Sequence, residues 1–176
     1  MIQLSHITKH YGGFKAVDNL NLFVDKGSLF GPNGAGKTTT IRLLAGILVP
    51  DAGDIEICGI PVAEKPEEAK RITGFIPDRP YLYEKLTGME FLKFTADLYR
   101  VPPEKFRQRA EQYIDLFSIK DYLYDLIESY SHGMRQRLIM AAALVHDPEV
   151  IIVDEPMVGL DPSAIRIVKK LFTELA

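Results

Sequence analysis

The strongest indication of the fold is a glycine-rich run, Gly31-Pro32-Asn33-Gly34-Ala35-Gly36-Lys37-Thr38-Thr39. It matches at every position the phosphate-binding loop pattern of Gly, four residues, Gly, Lys and then Ser or Thr. Glycine accepts positive φ and has no Cβ, so such a loop can turn its backbone N–H groups inward. Together with the N-terminal end of the helix that follows, these groups form a cradle for phosphate. Residues 31–39, called the phosphate loop below, therefore predict a nucleotide-binding site.

The polar residues of the phosphate loop have separate expected roles. The Lys37 ammonium would reach the β- and γ-phosphates, and the Thr38 hydroxyl would bind magnesium. The helix behind the loop is predicted to bury one face as far as Leu48, because apolar residues recur there at helical spacing: Ile41, Leu44, Ala45 and Leu48. The alternative is a glycine-rich turn that only caps a helix. The nucleotide-binding residues predicted from the loop are Asn33, Gly34, Ala35, Gly36, Lys37, Thr38 and Thr39.

Composition limits the class of protein. A chain of 176 residues suits one domain with a sizeable core. Its net charge is -3, whereas nucleic-acid-binding proteins are usually basic, and this weakens the case for a nucleic-acid partner. The longest apolar run, residues 138–145, is too short to span a bilayer, and no leader-like segment opens the chain. A single cysteine, Cys58, suits a reducing compartment. We therefore expect a cytoplasmic protein that acts at a membrane only through a partner.

The first eighty residues are predicted to be rich in strands. Strands are expected around a turn at Tyr11-Gly12-Gly13, and again over residues 54–57 between turns at Gly53 and Gly59. Tyr11 taken alone is typical of a packed aromatic side chain. Only three residues, 28–30, separate Gly27 from the phosphate loop, whereas a buried strand usually has about five or six. We therefore expect that a few residues are missing there.

Residues 87–128 are predicted to be helical. Apolar residues recur at helical spacing on both sides of Pro102-Pro103, and we find no strand candidate among them. A further helix is expected to begin after Ser131, which stands where a helix N-cap belongs. A capped amphipathic helix by itself would account for that pattern.

An apolar run that ends in two acids, Val150-Ile151-Ile152-Val153-Asp154-Glu155, predicts a strand buried on both faces of a parallel sheet. Carboxylates at the C-terminal end of such a strand lie where α/β sheets bind ligands. Asp154 would hold magnesium, and Glu155 would act as the base that activates water. The alternative is a solvated acidic turn. A last helix is expected from Ile165 onward.

Together these motifs resemble those of the ATP-binding cassette (ABC) family. Residues 131–137, Ser-His-Gly-Met-Arg-Gln-Arg, resemble its signature motif, and Gly159-Leu160-Asp161-Pro162 looks like its D-loop. The resemblance runs from residue 2 to residue 176. It is nearest to the ATPase subunits of bacterial multidrug or ABC-2-type exporters, through Leu86-Thr87-Gly88 and residues 130–134.

The resemblance implies an α/β P-loop NTPase fold of the ABC ATPase type, with a central, mostly parallel sheet. An antiparallel N-terminal β portion and a helical subdomain insertion complete it. One ABC domain over residues 1–176 would comprise a β-rich core with the phosphate loop (1–80), a helical subdomain (81–130) and a last part (131–176). That last part would hold the signature helix, the acidic strand, the D-loop and the following helix.

The resemblance also implies a mechanism. Two cassettes, as a homodimer or heterodimer, would close around two ATP molecules with magnesium and drive a membrane permease from the inner face of the cell membrane. Tyr11 would stack on adenine, and Ser131 and Gly133 would touch the partner's nucleotide.

Three features depart from the family pattern. Asp78 stands where the family usually has a Gln that binds magnesium and touches the permease, and His132 replaces a glycine of the signature. No histidine follows Glu155, although the family carries one that contacts the γ-phosphate. We therefore expect that the C-terminal part of the family domain is absent and that hydrolysis is weak.

Two other functions remain open at the level of sequence. One is an ABC ATPase that works on nucleic acid or ribosomes, although such proteins usually carry paired cassettes or a long coiled-coil insertion. The other is a P-loop switch or kinase, although the chain lacks the Asn-Lys-x-Asp motif of GTPases. We expect the transporter ATPase, with no nucleic-acid partner.

Overall fold

The fold is described from a computed structural model over residues 1–25, 36–78, 81–154 and 165–166. Two compact units emerge. The first contains the described residues of 1–75 together with 149–154, and the second contains those of 76–148 with 165–166. Predictions for residues 28–30, Glu155, the D-loop, and the last helix beyond Ile165 and Arg166 lie outside the described residues.

The first unit begins with an antiparallel sheet in the strand order β2-β1-β3-β4. Its strands are β1 (Ile2–Tyr11), β2 (Phe14–Val24), β3 (Ala52–Ile57) and β4 (Ile60–Pro61). Leu4 pairs with Leu22 on one side and with Ile55 on the other. The predicted strands around a turn at Gly12-Gly13 are confirmed, because Tyr11 pairs with Phe14 across that turn.

Gly53 differs from its prediction as a turn, because it lies inside β3. Its φ is +87°, and a Cβ there would overlap the backbone carbonyl groups of Ser5 and His6 in β1. A glycine is required at this position because two backbones approach closely, next to the register shift of β1 between Ser5 and Thr8.

A second, parallel sheet joins β5 (Thr73–Ile76) to β6 (Val150–Val153), and all of its residues except Ile76 belong to the first unit. Within β6 only Ile152 is buried, and the other three residues are half-buried. The strand is confirmed, but its burial is less complete than predicted. Among the described strands only β5 pairs with β6, so its other edge has no described neighbour. The core of the unit joins both sheets to the first helix through a cluster of buried side chains: Leu4, Ile7, Val17, Leu43, Leu44, Ile55, Ile57 and Ile152.

The first helix, α1 (Lys37–Leu44), is shorter than predicted. Gly46 has φ +64°, and its N–H bonds to the carbonyl of Leu43 while the N–H of Ile47 bonds to that of Arg42. This pair of bonds is a Schellman motif, which ends a helix at a left-handed glycine. The apolar spacing continues to Leu48 because that half-buried residue still packs against the same core. A short helix, α2 (Pro66–Arg71), follows β4.

The second unit is helical, as predicted. It contains α3 (Gly88–Leu98), α4 (Pro103–Leu116) and α5 (His132–Leu144), with short 3₁₀ turns at Lys120–Tyr122 and Ile127–Ser129. Thr87 and Glu90 form a capping box at the start of α3. Ala96, Val101 and Val145 form a buried cluster within this unit. Among the described helices, none has the length and apolar character needed to cross a membrane.

Candidate functional site

The described end of the phosphate loop is the junction at Gly36, the N-cap of α1. Gly36 has φ +76°, and a Cβ there would lie 2.7 Å from the carbonyl oxygen of Ala16 in β2. Thr40 closes the first turn, because both its N–H and its hydroxyl donate to the carbonyl of Gly36, at 2.9 and 3.0 Å. The chain can therefore enter α1 only through a glycine packed against β2. Asn33, Gly34 and Ala35 lie outside the described residues.

The first turn of α1 has the character of an anion site. No side chain caps it, and it contains no acidic residue. Lys37 and Thr39 are half-buried, and Thr38 is exposed. The unpaired N–H groups and the dipole at the start of a helix favour a negative charge there.

Asp154 follows the last residue of β6 and is half-buried. Because α1 packs against β6, the helix that carries Lys37 and Thr38 and the strand that ends at Asp154 are neighbours within the first unit. A hydroxyl and a carboxylate are oxygen ligands of the kind that magnesium takes, so these residues fit the ion. The residues that the structure describes contain no group of three or more His, Cys, Asp or Glu side chains arranged for a metal. Glu155 lies outside the described residues.

Tyr11 ends β1 beside the hairpin turn, and 46% of it is exposed. The plain packed aromatic that the sequence also allows would be buried. An exposed ring in this position is available to stack on a flat ligand.

The start of α5 belongs to the second unit and is capped by Ser131. The Ser131 hydroxyl accepts a hydrogen bond from the Met134 N–H at 3.3 Å, and the Ser131 N–H donates to the Met134 sulfur at 3.4 Å. The predicted N-cap is confirmed. Ser131 and His132 are exposed, and Gly133 is half-buried in the first turn. We call α5 with its cap Ser131 the signature helix.

Tyr130, directly before the cap, fixes the entry to the signature helix. Its hydroxyl donates to the carbonyl of Tyr122 at 2.6 Å and accepts from the N–H of Gly88. Burial, with the neighbouring Tyr122 and Asp125, raises the pKa of Tyr130 to about 12. A Cβ on Gly88 would approach the Tyr130 hydroxyl to 2.5 Å, so this contact also requires a glycine.

Asp78 follows β5 and is half-buried. Its backbone carbonyl accepts a hydrogen bond from Gln136 Nε2 at 3.3 Å. The predicted site residues are thus distributed between the two units. Tyr11, Gly36, Lys37, Thr38, Thr39 and Asp154 belong to the first, whereas Asp78, Ser131 and Gly133 belong to the second.

The sequence interpretation missed two residues that anchor the signature helix. Arg135 donates to Glu84 at 2.8 Å and to the Tyr130 carbonyl at 3.2 Å, and Gln136 is fully buried. The available signal was a polar residue at position 136 between the apolar positions 134 and 138.

Comparison with known proteins places these features in a family. The family described as ABC transporter matches residues 17–158. Among curated relatives, the bacitracin transport ATP-binding protein of Bacillus licheniformis is 37% identical, over 100% of this chain and 58% of its own length. The daunorubicin/doxorubicin resistance ATP-binding protein of Streptomyces peucetius is 40% identical, over 92% of this chain and 50% of its own length. This chain thus spans about half the length of the curated relatives that it matches.

Solved structures agree with the sequence relatives. An ATP-binding subunit of an ABC transporter superposes with a TM-score of 0.91 at 32% identity, covering 99% of this chain and 74% of that one. A dimeric ATP-binding cassette in a post-hydrolysis state, bound to ADP and Pi, superposes with a TM-score of 0.84 at 26% identity. That match covers 99% of this chain and 84% of the cassette.

Proposed function

This chain belongs to the ABC transporter family and has the ABC ATPase fold, and from that premise we propose that it binds and hydrolyses ATP to energise a membrane transporter. The observation that carries the proposal is the start of α1. The helix α1 begins at Lys37 without a side-chain cap and packs against β6, which Asp154 directly follows, and this combination suits a triphosphate with magnesium.

The proposed chemistry divides among the site residues. In this proposal Asn33, Gly34, Ala35 and Gly36 contribute to phosphate binding, while the Lys37 ammonium neutralises the charge of the phosphates. Thr38 and Asp154 would hold magnesium, the family resemblance alone suggests Asp78 as a further oxygen donor, and Tyr11 would stack on adenine. Magnesium, when bound, neutralises charge that develops on the phosphate oxygens. Glu155 accepts a proton from the attacking water.

The signature helix acts on a second copy in this proposal. Ser131 and Gly133 lie at an exposed helix start, which has the right dipole for the γ-phosphate held by a partner ATPase subunit. The solved dimeric cassette bound to ADP and Pi supports this arrangement. We further propose that residues 1–176 belong to one ABC domain, with parts at 1–80, 81–130 and 131–176. A permease subunit at the inner face of the cell membrane would receive its motion.

Transport is favoured over work on nucleic acid or ribosomes. The relatives are named for bacitracin transport and for daunorubicin and doxorubicin resistance, which supports export of a small molecule. The net charge of -3 also weighs against a nucleic-acid partner, since nucleic-acid-binding domains are usually basic.

The experiment that tests this function uses the full-length protein. Glu155→Gln removes the base but keeps the shape, so hydrolysis should fall by about 10²-fold or more while ATP binding persists. ATP, and not ADP, should then convert this variant from monomer to dimer, as measured by light scattering. Adding Ser131→Arg should abolish the dimer, because a bulky side chain blocks the partner's phosphate, while a fluorescent ATP analogue still binds each monomer.

Two results would contradict the proposal. The first is a dimer that forms equally with ADP, and the second is a dimer that survives Ser131→Arg. Lys37→Ala is the matched variant at the other helix start. It should weaken ATP binding to the monomer, because it removes charge from the triphosphate site.

A further inference from the structure

Gln136 is the most deeply buried polar side chain that the described residues contain. Three polar residues are buried there, and two of them, Thr40 and Thr73, bond a carbonyl four residues earlier in their own segment. Gln136 has no exposed surface, and its amide reaches a carbonyl 58 residues earlier in the chain. A hydrogen bond to a nearby backbone carbonyl therefore explains why the two threonine hydroxyls can be buried. It does not explain the burial of Gln136.

The bond of Gln136 joins two parts of the proposed machinery within the second unit. Its Nε2 donates to the backbone carbonyl of Asp78 at 3.3 Å. Gln136 lies five residues after Ser131, near the start of the signature helix, and Asp78 lies just after β5. The bond thus ties the helix that would meet the partner's nucleotide to Asp78, which is proposed as a further magnesium donor.

Arg135 adds a second tie from the same turn of the helix. Its guanidinium donates to Glu84 at 2.8 Å and also to the backbone carbonyls of Tyr130 and Glu128, at 3.2 and 3.4 Å. Two neighbouring residues of the signature helix thus hold two residues that follow β5, Gln136 at the Asp78 carbonyl and Arg135 at the Glu84 carboxylate.

Burying the Gln136 amide in the core costs free energy, because the amide loses its hydration. Its Oε1 is buried and has no hydrogen-bond partner among the described residues. An apolar side chain of similar length would avoid that cost, since a buried unpaired acceptor loses its hydration. Stability alone therefore does not account for the amide, whereas a directional bond to one peptide group does.

We propose that Gln136 is a positioning residue, which holds the segment at Asp78 and the start of the signature helix in one fixed relation. This inference rests on the proposed function. Gln136 does not itself touch the nucleotide. It acts through the Asp78 carbonyl, so that the position of the signature helix toward the partner's ATP follows the position of the segment after β5.

The test uses Gln136→Met in the full-length Glu155→Gln protein. The thioether side chain keeps the length and removes the donor. The ATP concentration for half-maximal dimerisation should rise about fivefold to tenfold, because the signature helix is no longer held in position before it meets the partner's nucleotide. ATP affinity of the monomer should not change, and the melting temperature should stay the same or rise, because the unpaired Oε1 is gone. Gln136→Glu, which sets carboxylate oxygens against the Asp78 carbonyl, should impair dimerisation at least as much.

Met140→Leu is the matched control, since Met140 is buried on the same helix. It should leave the dimerisation midpoint unchanged. The proposal is overturned if Gln136→Met dimerises like its parent. It is also overturned if dimerisation, monomer ATP affinity and melting temperature all fall together, which would indicate a merely structural role. A parent that stays monomeric in ATP would instead contradict the proposed function, and this inference with it.

Discussion

The first turns of α1 and of the signature helix both offer backbone N–H groups to phosphate in the proposed mechanism, but they are built in opposite ways. The first turn of α1 follows a left-handed glycine and has no side-chain cap. The signature helix follows an extended serine whose hydroxyl already accepts the Met134 N–H. The start of α1 therefore has no side-chain acceptor at its N-cap, whereas the start of the signature helix already has one of its N–H groups paired with its cap.

This difference matches the proposed order of events. A site that captures nucleotide gains most if its donors are unsatisfied beforehand, because the ligand then replaces only water. A surface that must recognise a nucleotide already held by another subunit gains from being preorganised, since less ordering is lost on contact. The capping box of the signature helix, together with Tyr130 and Arg135 behind it, provides that rigidity.

The largest expected effect comes from adding a Cβ at Gly36, the N-cap of α1. Gly36→Ala combines a left-handed backbone with a Cβ 2.7 Å from the Ala16 carbonyl, and should cost about 3 kcal/mol of unfolding free energy. Gly59→Ala is the matched control, because φ is +77° there and nothing lies within 4 Å. It should cost about 1 kcal/mol. Urea unfolding measures both, and equal losses would contradict the contact with β2.

An intermediate effect is expected at the capped helix start. Ser131→Ala removes the acceptor of the Met134 N–H and should cost about 1 kcal/mol of unfolding free energy. Hydrogen exchange by NMR gives the sharper comparison. The Met134 amide should be protected without nucleotide in the unsubstituted protein and lose that protection in Ser131→Ala. The Thr38 and Thr39 amides should exchange quickly until ATP is added. Protection of all three without ATP would contradict the contrast between the two helices.

The smallest expected effect is on the unfolding free energy at alkaline pH, and it arises from Tyr130, the residue before the Ser131 cap. The pKa of Tyr130 is raised from 10.0 to about 12, mainly by burial, so the folded state favours the neutral phenol. Its contribution to stability is fully present below pH 10 and is lost as the pH rises toward 12. The unfolding free energy should therefore decline over this range less steeply in Tyr130→Phe. Tyr81→Phe, at a residue that is 86% exposed, should leave the slope unchanged.

Local patterns predicted the parts of the site that depend on local chemistry. The strand ending at Asp154 and the cap at Ser131 follow from the residues next to them in sequence. The end of α1 did not, because Leu48 keeps the apolar spacing after Gly46 has already turned the chain. Gly53 was expected to be a turn because glycine is favoured equally by turns and by closely approaching backbones. Gln136 could not be paired from sequence, since its acceptor is a peptide carbonyl 58 positions away.

Because Gly36 lies against Ala16, the β1–β2 hairpin also sets the spacing between Tyr11 and the entry to α1. Ala16, which touches the entry to α1, stands two residues from Phe14, and Phe14 pairs with Tyr11 across the turn. In the proposed mechanism, the same hairpin therefore positions the entry to the phosphate site and, about 7 Å farther along its length, the exposed Tyr11 ring that would stack on the base. The spacing along the hairpin therefore sets the distance between Tyr11 and the entry to α1 at Gly36. Lengthening the hairpin at its tip would move Tyr11 and leave Gly36 in place.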